Sequence, residues 1–387
     1  HYLKALGYRT CLSGKMHFVG PDQKHGFQDR VTTDIYPADF AWTPDWEAAD
    51  ERIDKWYHNM QTVKESGVAV ATYQTDYDDE VEFAARRWLI DRGRDRAAGD
   101  KSPFCMVASF IHPHDPYVAK PEWWDLYSDD EVDMPEYPLS PEEQDPGSRR
   151  VMDGIEASYI PLTDEEVHRA RRAYLANVSY FDSKVGALVK TLEDIGELDN
   201  TLLIVTADHG DMLGERGLWF KMNFFEHSAR IPMIMTGPGV AQGTAANACS
   251  LIDLLPTFIE AGGGDMSMLG EPVDGRSLMP LARGEDDPVD LVIGEYCAEM
   301  TPWPVFMIRR GPLKYIHCDP DPAQLYDLSK DPLEKVNVAT DPAYADLVFP
   351  ILGEALGEIR PAATMVVCEL IKPEMKIEIE VTALRRS

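Results

Sequence analysis

The chain predicts an α/β fold: a mixed, mostly parallel central sheet flanked by helices, then a smaller C-terminal α+β subdomain on an antiparallel sheet. Three observations predict it. Two short, nearly unbroken apolar runs, FCMVASF at 104–110 and TLLIVT at 201–206, fit buried parallel strands. Between them, the segment from Val167 to Ile195 lays its apolar residues along one helical face. Beyond residue 290, short apolar stretches alternate with Gly and Pro turns, as adjacent antiparallel strands do.

The elements follow in order. Leu3 to Gly7 is a helix end closed by glycine. Tyr8 to Leu12 is a short strand, and Ser13 to His17 the loop past it. Residues 20–60 are rich in Pro, Asp and aromatics and show no period. They read as a long ordered loop, a kind that usually carries function. Residues 76–98 carry a helical pattern through Val81, Phe83, Ala84, Trp88 and Leu89. The 104–110 strand leads into the loop Ile111–Tyr117, and 118–160 is irregular and acidic. Thr163-Asp164-Glu165-Glu166 is a capping box that starts the long helix, which Gly196 ends. Thr201 to Thr206 delivers Asp208 and His209. Ile231–Met235 is a third strand and Leu251–Ala261 a helix. Short strands then fall at Leu291–Tyr296, Val305–Arg309, Leu313–His317 and Gln324–Leu328. These textures divide the chain into 1–289, 290–345 and a tail, 346–387, in which Lys376–Val381 alternates like a strand.

Composition narrows the function. The formal net charge is -30, which is wrong for gripping nucleic acid. It fits a well-solvated surface, and it also favours a cationic or zwitterionic ligand. No apolar run is long enough to span a bilayer. Six scattered cysteines with no CxxC pair fit a reduced compartment, and a cytoplasmic location is expected.

Four polar clusters fall where an α/β sheet builds its site, in loops past strand ends. They are Lys15 with His17, His112-Pro113-His114-Asp115-Pro116, Asp208-His209-Gly210-Asp211, and Lys221. Any one alone would be an ordinary surface group. Together, lysines and histidines supply the donors and cations that a tetrahedral oxyanion needs. Asp208 and His209 can ligate a divalent metal. The mixture points to sulfuryl or phosphoryl chemistry. GxGxxG after a strand, a P-loop and GxSxG are all missing.

Lys15-x-His17 after GYRTCLSG, FIHPHDP, TADHGDMLGERGLW and Lys221 with ARIPMIM resemble the sulfatase branch of the alkaline phosphatase superfamily. LIDLLPTFIEAGG, GRSLMPLARG and QLYDLSKDPLEKVNVA resemble that family's C-terminal part. The stretch KMHFVGPDQKHGFQDRVTTDIYPADFAWTPDW is similar to choline-sulfatases in particular. The resemblance implies a sulfuric ester hydrolase acting on a small sulfate ester, choline sulfate first. A phosphonate or phosphate ester hydrolase is the alternative, and a non-catalytic relative the next. It implies Lys15, His17, His114 and Lys221 at the sulfate. It implies Asp208 and His209 at one divalent metal, Ca2+ before Mn2+, and no nucleic-acid or membrane partner. A homo-oligomer is expected. Trp42 and Glu299 are the choices for a choline pocket of aromatic face plus carboxylate.

Two departures stand out. The family's formylglycine arises from the Cys of C-x-P-x-R, and none of the six cysteines lies in that pattern. The nucleophile and the first metal ligands are therefore expected in a segment upstream of His1, with this stretch alone inactive. The end, RPAATMVVCELIKPEMKIEIEVTALRRS, does not match the family's tail.

Overall fold

The computed structural model describes residues 1–36, 38, 58–301, 303–319 and 321–344. Its first sheet has three parallel strands. β1 (Arg9–Gly14) is central, paired with β2 (Asp29–Arg30) on one side and with β4 (Phe104–Ser109) on the other, while β3 (Gly67–Val68) lies outside this sheet. β3 pairs in parallel with β5 (Val118–Ala119), a small ribbon of its own. β6 (Leu203–Thr206) and β7 (Met233–Thr236) make an antiparallel pair. β8 (Leu291–Tyr296), β9 (Val305–Arg310), β10 (Leu313–Cys318) and β11 (Gln324–Asp327) form an antiparallel sheet in the order β11-β10-β9-β8.

The third strand, expected at 231–235, is present as β7 and runs antiparallel to β6. One expectation about strands needs correcting. β4 and β6 are half-buried along their whole length, not fully buried. Among the described residues, no hydrogen bond joins β4 to β6, so each of these apolar strands keeps one unpaired edge.

The helices are where periodicity put them. Thr72 caps Tyr73–Ala97, and Thr163 caps Asp164–Asp194 through a reciprocal bond with Glu166. The two helices pack on each other, and the first also covers β1 and β4. Cys11, Trp88, Leu89 and Leu192 close this layer. Trp88 adds a polar tie through Nε1–H to Asp29 Oδ2 at 2.9 Å. A larger core collects Tyr117, Ala170, Met212, Leu218, Phe220, Met307 and Tyr326, joining both sheets' surroundings into one interior. Among the described residues, no helix is long and apolar enough to cross a membrane.

Candidate active site

Three strand ends deliver the site. β1 and β4 run side by side, and Gly14 (φ +112°) lies so close to Ser109 that a Cβ there would sit 1.9 Å from the Ser109 carbonyl oxygen. Only glycine fits, and the close approach lets Lys15 N–H donate to that carbonyl at 3.1 Å. The chain then turns sharply, with His17 in the left-handed region at φ 52°. Asp34 holds this turn, accepting the N–H groups of Met16 (3.2 Å) and His17 (2.9 Å) and a bond from Arg30.

After β4, Asp78 of the Tyr73–Ala97 helix anchors the next loop. It accepts Ile111 N–H and His112 N–H and pairs with His112 Nδ1 at 2.7 Å. His112 is thereby a buried support, and His114 is the ring that faces the site. His114 Nδ1 lies 2.8 Å from the Asp115 carbonyl oxygen, and its Nε2 lies 2.8 Å from Lys221 Nζ. An ammonium only donates, so Nε2 accepts and the proton of the neutral ring sits on Nδ1. After β6, Lys15 Nζ lies 3.8 Å from Asp208 Oδ2, and the His209 ring stands edge-on to His114 at 5.7 Å. Lys15, His17, His114, Asp208, His209 and Lys221 thus converge.

The electrostatics favour an anion. Burial, and then the positive charge of Lys15, lower His17 to about 4. Burial, and then Lys221, lower His209 to about 4 and His114 well below the ordinary imidazole value. All three rings are neutral at pH 7, leaving the ammonium groups as the positive charge. Burial also lowers Lys221, making it a better acid than a free lysine. Burial alone would raise Asp115, but His114, His58 and Lys221 around it hold it well below the carboxylate range.

Asp208 and His209 fit a metal. His209 Nδ1 is bound to the Gly210 carbonyl at 2.8 Å, which leaves its Nε2 lone pair 3.7 Å from Asp208 Oδ2. A backbone-tied imidazole beside a carboxylate that is 66% exposed is a usual half-shell of ligands. His58, His114 and Asp115 also bring donor atoms within 4.8 Å of one another. There, however, Asp115 Oδ1 already pairs with His58 Nδ1 (3.0 Å) and His114 Nδ1 (3.1 Å), and Lys221 occupies the far nitrogen.

His58 was invisible in the sequence, lying in the aperiodic 20–60 stretch. It stacks on Phe220 at 4.7 Å and spans from Asp115 to Glu299, whose Oε2 is 3.8 Å from its Nε2. Glu299 therefore lies at the rim of the same cluster. Trp42 lies outside the described residues.

A profile of the sulfatase family matches residues 1–264, and one for the C-terminal region of N-sulphoglucosamine sulphohydrolase matches 214–360. The chain is 50% identical over 343 residues to a choline-sulfatase of Rhizobium meliloti (strain 1021), covering 88% of this chain and 67% of that one. The chain belongs to the sulfatase family. This sulfatase is also 27% identical over 361 residues to a multifunctional alkaline phosphatase superfamily protein of Trinickia caryophylli, covering 82% of it and 67% of the relative. Its fold matches the phosphonate monoester hydrolase of Agrobacterium radiobacter with a TM-score of 0.68 at 20% identity, over 92% of this chain and 78% of the other.

Proposed function

We propose that this sulfatase hydrolyses choline sulfate to choline and sulfate. The observation that carries the choline half is Glu299. Its Oε2 is buried with no hydrogen-bond partner among the described residues, 3.8 Å from His58 Nε2 and within electrostatic reach of Lys221. A quaternary ammonium cannot donate a hydrogen bond, so it suits a carboxylate oxygen that is desolvated yet unbonded. Trp42, by its place in the choline-sulfatase-like stretch, would add an aromatic face. The 50% identity to a choline-sulfatase supports the same reading.

In this mechanism Lys15, His17 and Lys221 donate to the sulfate oxygens. As an attacking oxygen bonds to sulfur, the bond from sulfur to the choline oxygen breaks and its electron pair stays on the choline oxygen. That oxygen takes a proton from Lys221 Nζ, which His114 Nε2 holds in place. Asp208 and His209 would hold a divalent metal, calcium first, which adds Lewis-acid charge at the sulfate when bound. None of the six cysteines lies in the C-x-P-x-R pattern from which the family's formylglycine arises, so no residue of this sequence is given the nucleophile's role.

The test is release of choline and sulfate from choline sulfate by the full-length protein, with a phosphonate monoester as the rival substrate. Cleavage of the phosphonate with choline sulfate left intact overturns the reading. That alternative draws on the fold shared with the phosphonate hydrolase.

A further inference from the structure

We propose that Tyr117 and Asp211 form a brace that sets the spacing of His114 against Lys221, making both positioning residues for the leaving alcohol. The inference rests on the sulfatase reading above for its chemistry, but not for its geometry.

The two loops concerned are far apart in sequence. Among the described residues, no backbone hydrogen bond joins 112–117 to 218–222. Side chains must therefore fix their relative position. Tyr117 stands three residues after His114, and Phe220 directly precedes Lys221. The Tyr117 hydroxyl donates to Asp211 Oδ2 at 2.7 Å. Asp211 Oδ1 accepts the N–H groups of Phe220 at 3.2 Å and Leu213 at 3.0 Å. Phe220 in turn accepts Met212 N–H at 2.8 Å through its carbonyl. One carboxylate thus grips both loops at their site-facing ends.

The brace is sealed and stressed in ways that make it matter. Tyr117 is 0% exposed and Phe220 1%. Their rings lie parallel within 7°, with centroids 6.3 Å apart. Phe220 holds φ 64° and Met222 φ 34°, values that non-glycine residues rarely adopt, so this turn depends on bonds from outside. Asp211 touches none of the groups assigned to the sulfate. Its bonds explain why a carboxylate is buried there.

The prediction separates positioning from plain stability. Tyr117→Phe removes one oxygen and keeps the ring. It should weaken binding of inorganic sulfate about fivefold, read by calorimetry on the full-length protein, because Lys221 loses its set position. Turnover of choline sulfate, whose alkoxide needs a proton to leave, should fall about tenfold. Turnover of p-nitrophenyl sulfate, whose phenolate departs without one, should fall less than about twofold. Asp211→Asn keeps an oxygen for the two N–H groups and an amide for the Tyr117 oxygen, so it should stay within about twofold of the parent on both esters. If Tyr117→Phe does not accumulate, Asp211→Ala carries the same readouts with the same expected pattern. Equal losses on both esters, or unchanged sulfate affinity in a folded variant, overturn the brace. A parent protein that cleaves neither ester defeats the sulfatase reading alone, since the sulfate affinities still decide the brace.

Discussion

Two of the inward-facing lysines, one in each half, are treated in opposite ways. Lys314, on β10 of the antiparallel sheet, is 1% exposed and lies 2.5 Å from Glu226 and 2.9 Å from Glu334, with the Phe224 carbonyl as a third acceptor at 2.9 Å. Its charge is fully answered. Lys221, on the loop after β6, hydrogen-bonds a neutral imidazole instead. Among the described residues no carboxylate lies within ion-pair distance of it, and Asp115, Glu299 and Asp208 act on it only from farther off. Buried charge that is paired serves the fold, and buried charge that faces a neutral group costs stability that only a ligand can return. The difference locates the site without reference to any relative.

The comparison can be broken at four points, from the largest effect down. Lys314→Met strands two carboxylates, and should lower stability by about 3–5 kcal/mol in denaturant unfolding. Lys221→Ala should do the reverse. Thermal stability should hold or rise, while turnover of choline sulfate falls about 10²–10³-fold, or about 2.7–4 kcal/mol. If Lys221→Ala instead destabilises as Lys314→Met does, the contrast between the two lysines is gone.

Acid should act on the site half first. The depressed histidines bind a proton more weakly when folded than when unfolded, so their contribution is intact above about 6.5 and declines as pH falls toward about 4. Asp211, raised to about 6 chiefly by burial, works the other way between 3.8 and 6. Three lowered histidines against one raised carboxyl give a net loss, which melting curves at pH 7 and pH 4.5 should show. The smallest effect is Glu299→Gln. It should raise KM for choline sulfate about tenfold and leave an aryl sulfate unchanged.

Much of this was legible before any coordinates. The cap at Thr163, the positive φ of Gly196 past the helix end, and the four strands of the last sheet follow from local signals that act over a few residues. So does the placement of Lys15, His114 and Asp208 past separate strands. What could not be read depends on contacts between distant segments. The direction of β7 is set by pairing with β6. Asp34 and Asp78 look like any other acids in a chain with 67 acidic residues, and Asp211, though in a polar cluster, shows no sign there of its role in binding Phe220 N–H. Their importance lies in which N–H groups they receive. His58 gained its place only by packing over Phe220, itself 162 positions later in the chain.

The separation of the site's parts has a thermodynamic consequence. Lys15 and Lys221 are 206 positions apart, with His114 between them. If these residues hold sulfate as proposed, no partly folded chain that lacks any of these segments holds it well. On the function proposed above, sulfate is therefore a ligand of the assembled state alone. At a hundred times its dissociation constant it would add about 2.7 kcal/mol to the whole cooperative unit. Melting temperature against sulfate concentration becomes a gauge of how completely β1, β4 and β6 have come together, readable without any turnover.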